Sequence, residues 1–190
     1  MINVLLVDDH ELVRTGIRKI LDEVKGLKVI GEAKTGEEAV QFCRKTEPNV
    51  VLMDMNMPGI GGLEATKKII RYAPDVKVIV LTVYCEDPIP TKVMRIGAAG
   101  YLTKGAGSDE MINAIRAVNS GQRYITPEIA QQMALNQFKS PDENPFSSLS
   151  ERELQIMLMI TRGEKVPNIS EQLVLSTKTI NSRRHRKSEC

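Results

Sequence analysis

Through the first two thirds of the chain, short unbroken apolar runs alternate with stretches in which apolar residues recur every three or four positions. Residues 2–7, 28–33, 50–54, 76–82 and 101–103 have strand length, and each is followed by a helical pattern. Val13, Ile17, Ile20, Leu21 and Val24 carry the first helix, over about residues 12–24. Thr35 and Glu38 form a capping box ahead of Ala39, Val40 and Cys43. The third helix is expected over 63–72, after glycines that permit positive φ. Val93, Met94 and Ile96 mark the fourth helix, and Met111, Ile112, Ile115 and Val118 the fifth, which closes at Ser120-Gly121. The run Val50-Val51-Leu52-Met53 lacks polar alternation, as suits a strand buried on both faces of a parallel sheet. Right-handed crossovers then predict a flavodoxin-like (βα)5 domain over residues 1–121, with a parallel sheet of order 2-1-3-4-5.

The pattern changes after Gly121. Thr126-Pro127 opens a helix carrying Ile129, Ala130, Met133 and Ala134, and residues 139–145 are polar and bounded by prolines, so 122–148 reads as a helical linker. In 149–190, Ser150 and Glu153 form a second capping box. Leu154, Met157, Leu158 and Thr161 are expected on the inner face of the helix that follows. Short helices at 167–173, with Pro167 at the first helical position, and from Thr177 flank the turn Val174-Leu175-Ser176. These are the proportions of a small all-α helix-turn-helix domain.

Composition adds little until charge is divided by region. Of the 190 residues 42% are hydrophobic and 26% charged, and no apolar run approaches the roughly 18 residues of a membrane span. With no signal-peptide pattern at the N-terminus, the expectation is a soluble cytoplasmic protein. Cys43, Cys85 and Cys190 stand far apart in no ligand spacing, which argues against a disulfide framework and a zinc site. Residues 1–121 balance 16 basic against 16 acidic side chains, whereas 177–190 hold five basic and one acidic. That basic end predicts a polyanion partner.

Asp8, Asp9, Asp54, Thr82 and Lys104 each fall at or just past the end of an expected strand, so one parallel sheet brings all five to one edge. Carboxylates about 4 Å apart repel by roughly 4 kcal/mol per pair at an effective dielectric near 20, which calls for a cation. Mg²⁺ suits oxygen donors from Asp9, Asp54 and the Asn56 backbone carbonyl. An Asp54 oxygen could then attack phosphorus, with Lys104 stabilising the phosphoryl oxygens. A Mg²⁺-dependent phosphohydrolase with an Asp nucleophile is a competing reading. Enzymes of that kind, the haloacid dehalogenase type, place a second carboxylate two residues after the nucleophile, where this chain has Asn56.

With these motifs, residues 1–121 resemble the receiver domain of bacterial two-component response regulators. The resemblance rests on Asp8-Asp9, Asp54 within Met53-Asp54-Met55-Asn56-Met57-Pro58-Gly59, Thr82, Tyr101 and Lys104-Gly105. It implies that Asp54 is the phosphoacceptor, Asp9 a direct Mg²⁺ ligand and Asp8 a ligand through water. Lys104 would be the phosphoryl partner, and Thr82 and Tyr101 the switch residues. The output face would be 88–96, 101–102 and 108–119. No enzymatic activity is implied beyond self-phosphorylation and slow self-dephosphorylation.

Residues 149–180 are similar to the LuxR-type helix-turn-helix, which makes the whole a NarL/FixJ-type regulator. The wording of 121–125 and 150–160 is similar to its GacA/UvrY subgroup. The implied partners are a membrane-bound sensor histidine kinase as phosphodonor, promoter DNA at small regulatory RNA genes, and a second copy in a homodimer formed on activation. In the helix from Thr177, Asn181, Ser182 and His185 would reach bases. Lys178, Arg183, Arg184, Arg186 and Lys187 would mostly meet phosphates, and Thr179 is expected among the DNA-binding residues as well. The pattern departs from the family after Ser182, with nothing apolar between Ile180 and Cys190. The expectation is a truncated or altered end, a missing final helix and impaired DNA binding. On that alternative the chain would act mainly through its receiver, competing for phosphoryl groups or forming mixed dimers.

Overall fold

A computed structural model describes residues 1–83, 89–137, 149–161 and 163–185. The chain divides into two compact units, Met1–Glu143 and Asn144–Cys190.

In the first unit, β1 (Ile2–Val7), β2 (Leu27–Ala33), β3 (Val50–Asp54), β4 (Lys77–Thr82), β5 (Gly100–Thr103) and β6 (Tyr124–Ile125) form one parallel sheet of order β2-β1-β3-β4-β5-β6. Helices α1 (Glu11–Asp22), α2 (Gly36–Lys45), α3 (Gly61–Tyr72), α4 (Ile89–Ile96) and α5 (Ser108–Asn119) are the crossovers. All five residues of β3 are buried, as its unbroken apolar run implies for a central strand. One core layer packs Val4, Leu6, Leu52, Ile79 and Leu102 of the sheet against Leu21 of α1 and Met111, Ile115 and Val118 of α5. Thr35 caps α2 through the Glu38 amide at 3.2 Å, and the Glu38 carboxylate accepts from the amide of Lys34.

The expected five strands are present with their order, and a sixth extends them. β6 pairs in parallel with β5, Gly100 opposite Tyr124 and Tyr101 opposite Ile125. Two residues carry no readable period, so only the pairing reveals this strand. α3 begins at Gly61 rather than Leu63, with Gly59 and Gly61 at positive φ. α6 (Pro127–Gln137) follows β6. The residues expected to form the polar linker, 139–145, and Pro88 of the expected output face lie outside the described residues.

The second unit contains α7 (Glu151–Thr161), α8 (Val166–Leu173) and α9 (Thr177–His185), closed around Ile156, Met159, Ile169, Leu173 and Ile180. The Ser150 capping box forms in both directions: its amide donates to Glu153 Oε2 at 2.9 Å, and its hydroxyl accepts from the Glu153 amide at 3.3 Å. α7 buries Leu154, Ile156, Leu158 and Met159, while Met157 is only half-buried. This helix is apolar nearly all round, so spacing alone does not select its inner face. Pro167 occupies the second helical position, behind Val166. Its missing amide is tolerated there too, because the first four N–H groups of a helix have no intrahelical partner.

Candidate functional site

Parallel register carries the functional side chains to one edge. Asp54 is the last residue of β3 and pairs with Leu81, next to Thr82 at the end of β4, which pairs with Thr103 of β5. Asp8 follows the end of β1, whose Val7 pairs with Met53. Lys104 follows β5, and its amide donates to the Thr82 carbonyl at 2.7 Å. Its ammonium lies 2.7 Å from Asp8 Oδ2 and 3.1 Å from Asp54 Oδ2. Asp8 Oδ1 accepts the His10 amide at 2.8 Å, and the exposed His10 ring places Nδ1 2.9 Å from Asp9 Oδ1.

Asp8 and Asp54 are buried, whereas Asp9 is half-buried. Burial pushes the Asp54 carboxyl up to about 6; Lys104 opposes that rise and the Asp8 charge adds to it. Burial works against the Lys104 ammonium, but its contacts with Asp8 and Asp54 together outweigh that and keep its pKa above the ordinary value. Both Asp54 oxygens and Oδ1 of Asp9 are buried without a well-formed hydrogen bond. One ligand atom each from Asp8, Asp9, His10 and Asp54 gathers within 4.8 Å. Carboxylate oxygens gathered at this density, with one ammonium among them, fit a hard divalent cation such as Mg²⁺.

Thr82 and Tyr101 are both fully buried, so the Tyr101 ring lies inside the domain. Asn56 is half-buried on the loop after Asp54. That loop is held by residues the sequence does not announce. Glu37 of α2 accepts the Ile60 amide at 3.0 Å, and the Met55 carbonyl accepts from Gly62 at 3.1 Å. At Gly62 a Cβ would meet the Asp54 carbonyl oxygen at 1.9 Å, so this position excludes every other residue. The Gly61-Gly62 pair at a helix start is the one signal that could have shown this close approach.

In the second unit, Lys178 and Asn181 are exposed on α9. The Thr179 hydroxyl is 2.7 Å from that of Ser176, and its amide donates to Ser176 Oγ at 3.1 Å, so Thr179 takes part in the cap of α9. Ser182, Arg183, Arg184 and His185 continue the helix, and Arg186 and Lys187 lie outside the described residues. Among the described residues no helix is long and apolar enough to cross a membrane.

Residues 4–116 match the response regulator receiver domain family, and residues 147–188 match the bacterial regulatory proteins of the luxR family. The chain is 67% identical over 187 residues to the response regulator UvrY of Escherichia coli, covering 98% of this chain and 86% of that one. It is 58% identical over 187 residues to the response regulator GacA of Pseudomonas aeruginosa, covering 98% and 87%. Among solved structures, the RcsB response regulator of Salmonella typhimurium is similar at a TM-score of 0.74 and 26% identity, over 96% of this chain and 86% of that one. A LuxR-family response regulator from Aurantimonas is similar at 0.69 and 35% identity, over 72% and 98%. A receiver fold with its acidic edge, a helix-turn-helix unit and relatives alike over nearly the whole chain agree: the chain belongs to the two-component response regulators, DNA-binding transcriptional regulators that join a receiver domain to a luxR-family domain.

Proposed function

We propose that Asp54 is the phosphoacceptor of this regulator, that a sensor histidine kinase supplies the phosphoryl group, and that the modified chain binds promoter DNA through α9. The observation that carries the reading is the contact of one ammonium with two buried carboxylates, Lys104 with Asp8 and Asp54. Asp9, Asp54 and the Asn56 carbonyl would hold Mg²⁺ directly, and Asp8 through water. When bound, the cation supplies charge that neutralises the carboxylates and the incoming phosphoryl oxygens.

The ionised Asp54 attacks the phosphorus of a phosphohistidine. A bond forms between an Asp54 oxygen and phosphorus as the nitrogen–phosphorus bond breaks, and the departing electron pair stays on the imidazole. Lys104, whose ammonium lies 3.1 Å from Asp54 Oδ2, meets an equatorial phosphoryl oxygen. The Thr82 hydroxyl then follows the phosphoryl group, and the movement is felt at the buried Tyr101 ring. In self-dephosphorylation water attacks the phosphorus slowly: a bond from the water oxygen to phosphorus forms as the bond from Asp54 breaks, which releases inorganic phosphate and restores the carboxylate. These steps take place in the cytoplasm, where kinase and promoter are both within reach.

Solved RcsB structures include two dimers bound to two parallel DNAs, which supports homodimeric binding by this chain. Incubation with acetyl phosphate and Mg²⁺ is expected to add one phosphoryl group by intact mass, to strengthen promoter binding, and to do neither in Asp54→Ala. Labelling that persists in Asp54→Ala, or continuous hydrolysis of a generic phosphate ester, would sink the reading. A second reading, output through the receiver alone, is favoured by one observation. Ile180 is the only buried residue among the described side chains of α9. It predicts weak, salt-sensitive DNA binding that does not respond to phosphorylation.

A further inference from the structure

The main chain of Asp8 is held from both sides. Its amide donates to the Ala33 carbonyl on β2 at 3.2 Å, and its carbonyl accepts from Arg14 Nη1 at 2.7 Å. Arg14 lies on α1 and is only 3% exposed, unusual for a charged side chain outside a binding pocket. Its Nε donates to Glu32 Oε2 at 3.0 Å, from the β2 residue that pairs with Leu6 of β1. The second Glu32 oxygen receives Arg18 Nε. Contact with Arg18 above all, joined by Arg14 and opposed by burial, holds the Glu32 carboxyl below the usual carboxylate range. Glu32 is therefore a charged anchor shared by two arginines.

This network touches the acidic site at one atom, the Asp8 carbonyl oxygen. Beyond that atom the Asp8 side chain splits its oxygens, Oδ1 to the His10 amide and Oδ2 to Lys104. A shift of the Asp8 backbone would therefore displace Asp9 and His10 along with the carboxylate. The planar guanidinium of Arg14 presents Nη1 to the Asp8 carbonyl and Nε to Glu32 in one fixed geometry, which the compact ammonium of a lysine at this position does not reproduce.

We propose that Arg14 is a positioning residue for the divalent-cation subsite: anchored on Glu32, it fixes the main chain at Asp8 and thereby sets how tightly the Asp8, Asp9 and Asp54 carboxylates hold the cation. The inference rests on the reading of those carboxylates as the cation site. Its test is calorimetric titration of Mg²⁺ into the full chain, unphosphorylated, and into Arg14→Met, Arg14→Lys and Glu32→Gln, with folding checked by circular dichroism and cooperative melting. Partners of metal ligands typically change affinity by tenfold or more, so Arg14→Met is expected to bind Mg²⁺ about tenfold more weakly. Arg14→Lys and Glu32→Gln are expected to fall between. The Mg²⁺ concentration that half-saturates labelling by acetyl phosphate moves by the same factor, while the plateau is retained.

A folded Arg14→Met that titrates like the unmodified chain overturns the inference alone. Should Arg14→Met not fold, unchanged affinity in both Arg14→Lys and Glu32→Gln overturns it equally. An unmodified chain that binds no Mg²⁺ overturns the cation-site reading, and the inference with it.

Discussion

At the end of β3 a carboxylate, Asp54, is buried beside a second one, with a single ammonium between them. Its folded-state pKa of about 6 lies above the ordinary 3.8. The folded chain therefore holds a proton more readily than the unfolded chain between about pH 4 and pH 6. The contribution of this group to stability is complete below that window and is lost as pH rises through it. About two pKa units correspond to roughly 3 kcal/mol. Asp54→Asn is accordingly expected to stabilise the metal-free first unit by up to about 3 kcal/mol at neutral pH, with the gain fading towards pH 4. Urea unfolding of both chains across that range, in a chelating buffer, measures it. A gain that grows on acidification would contradict the burial argument. The same raised pKa leaves Asp54 largely ionised at pH 7, so burial makes this carboxylate more basic without neutralising it.

Elements place these residues by close backbone approach. α3 starts directly under the end of β3, and Gly62 leaves no room for a methyl group against the Asp54 carbonyl. Gly62→Ala is expected to cost about 3 kcal/mol or more, because backbone rather than a flexible side chain must yield. Thermal melting of the first unit should drop, and phosphoryl labelling of Asp54 should fall with it. The turn between α8 and α9 presents the opposite case. Val174 is 87% exposed and takes φ 51°, a left-handed conformation that a β-branched side chain resists. Relief of that strain outweighs the added freedom of the unfolded chain, so Val174→Gly is expected to stabilise the second unit by about 1 kcal/mol. A lower melting temperature for that unit in Val174→Gly would show that the turn is not strained.

Across the whole chain, charge separates what the two units do. The first unit gathers its buried ionic groups at one edge of the sheet, where Lys104 and the Arg14–Glu32–Arg18 network offset or brace the carboxylates. The second unit carries exposed Lys178 near the start of α9, in a stretch of predominantly basic residues. Lys178→Ala is expected to weaken DNA binding similarly at every sequence and to lower the slope of log affinity against log salt by about one. Titration at several salt concentrations, on promoter and on unrelated DNA, reads this out. Loss confined to the promoter would instead make Lys178 a reader of bases.

Much of this molecule was legible in order along the chain. Apolar runs, helical spacing and capping residues determined the five strand–helix units, and parallel crossovers then required Asp8, Asp54, Thr82 and Lys104 to share one edge. The helix-turn-helix followed from the same signals, with the Ser150 cap correct to the atom. Tertiary structure decided whatever depends on distant residues meeting. Two residues became β6 only because β5 offered an open edge, and α7, apolar on nearly every side, turned Ile156 and Met159 inward only because α8 and α9 were there. Glu37, Gly62 and Arg14 brace the site through contacts that no local period marks, because each meets its partner only once separate elements have packed. A sequence records which groups a site has available, but the geometry that makes one buried carboxylate basic, braced and reachable exists only where several elements converge.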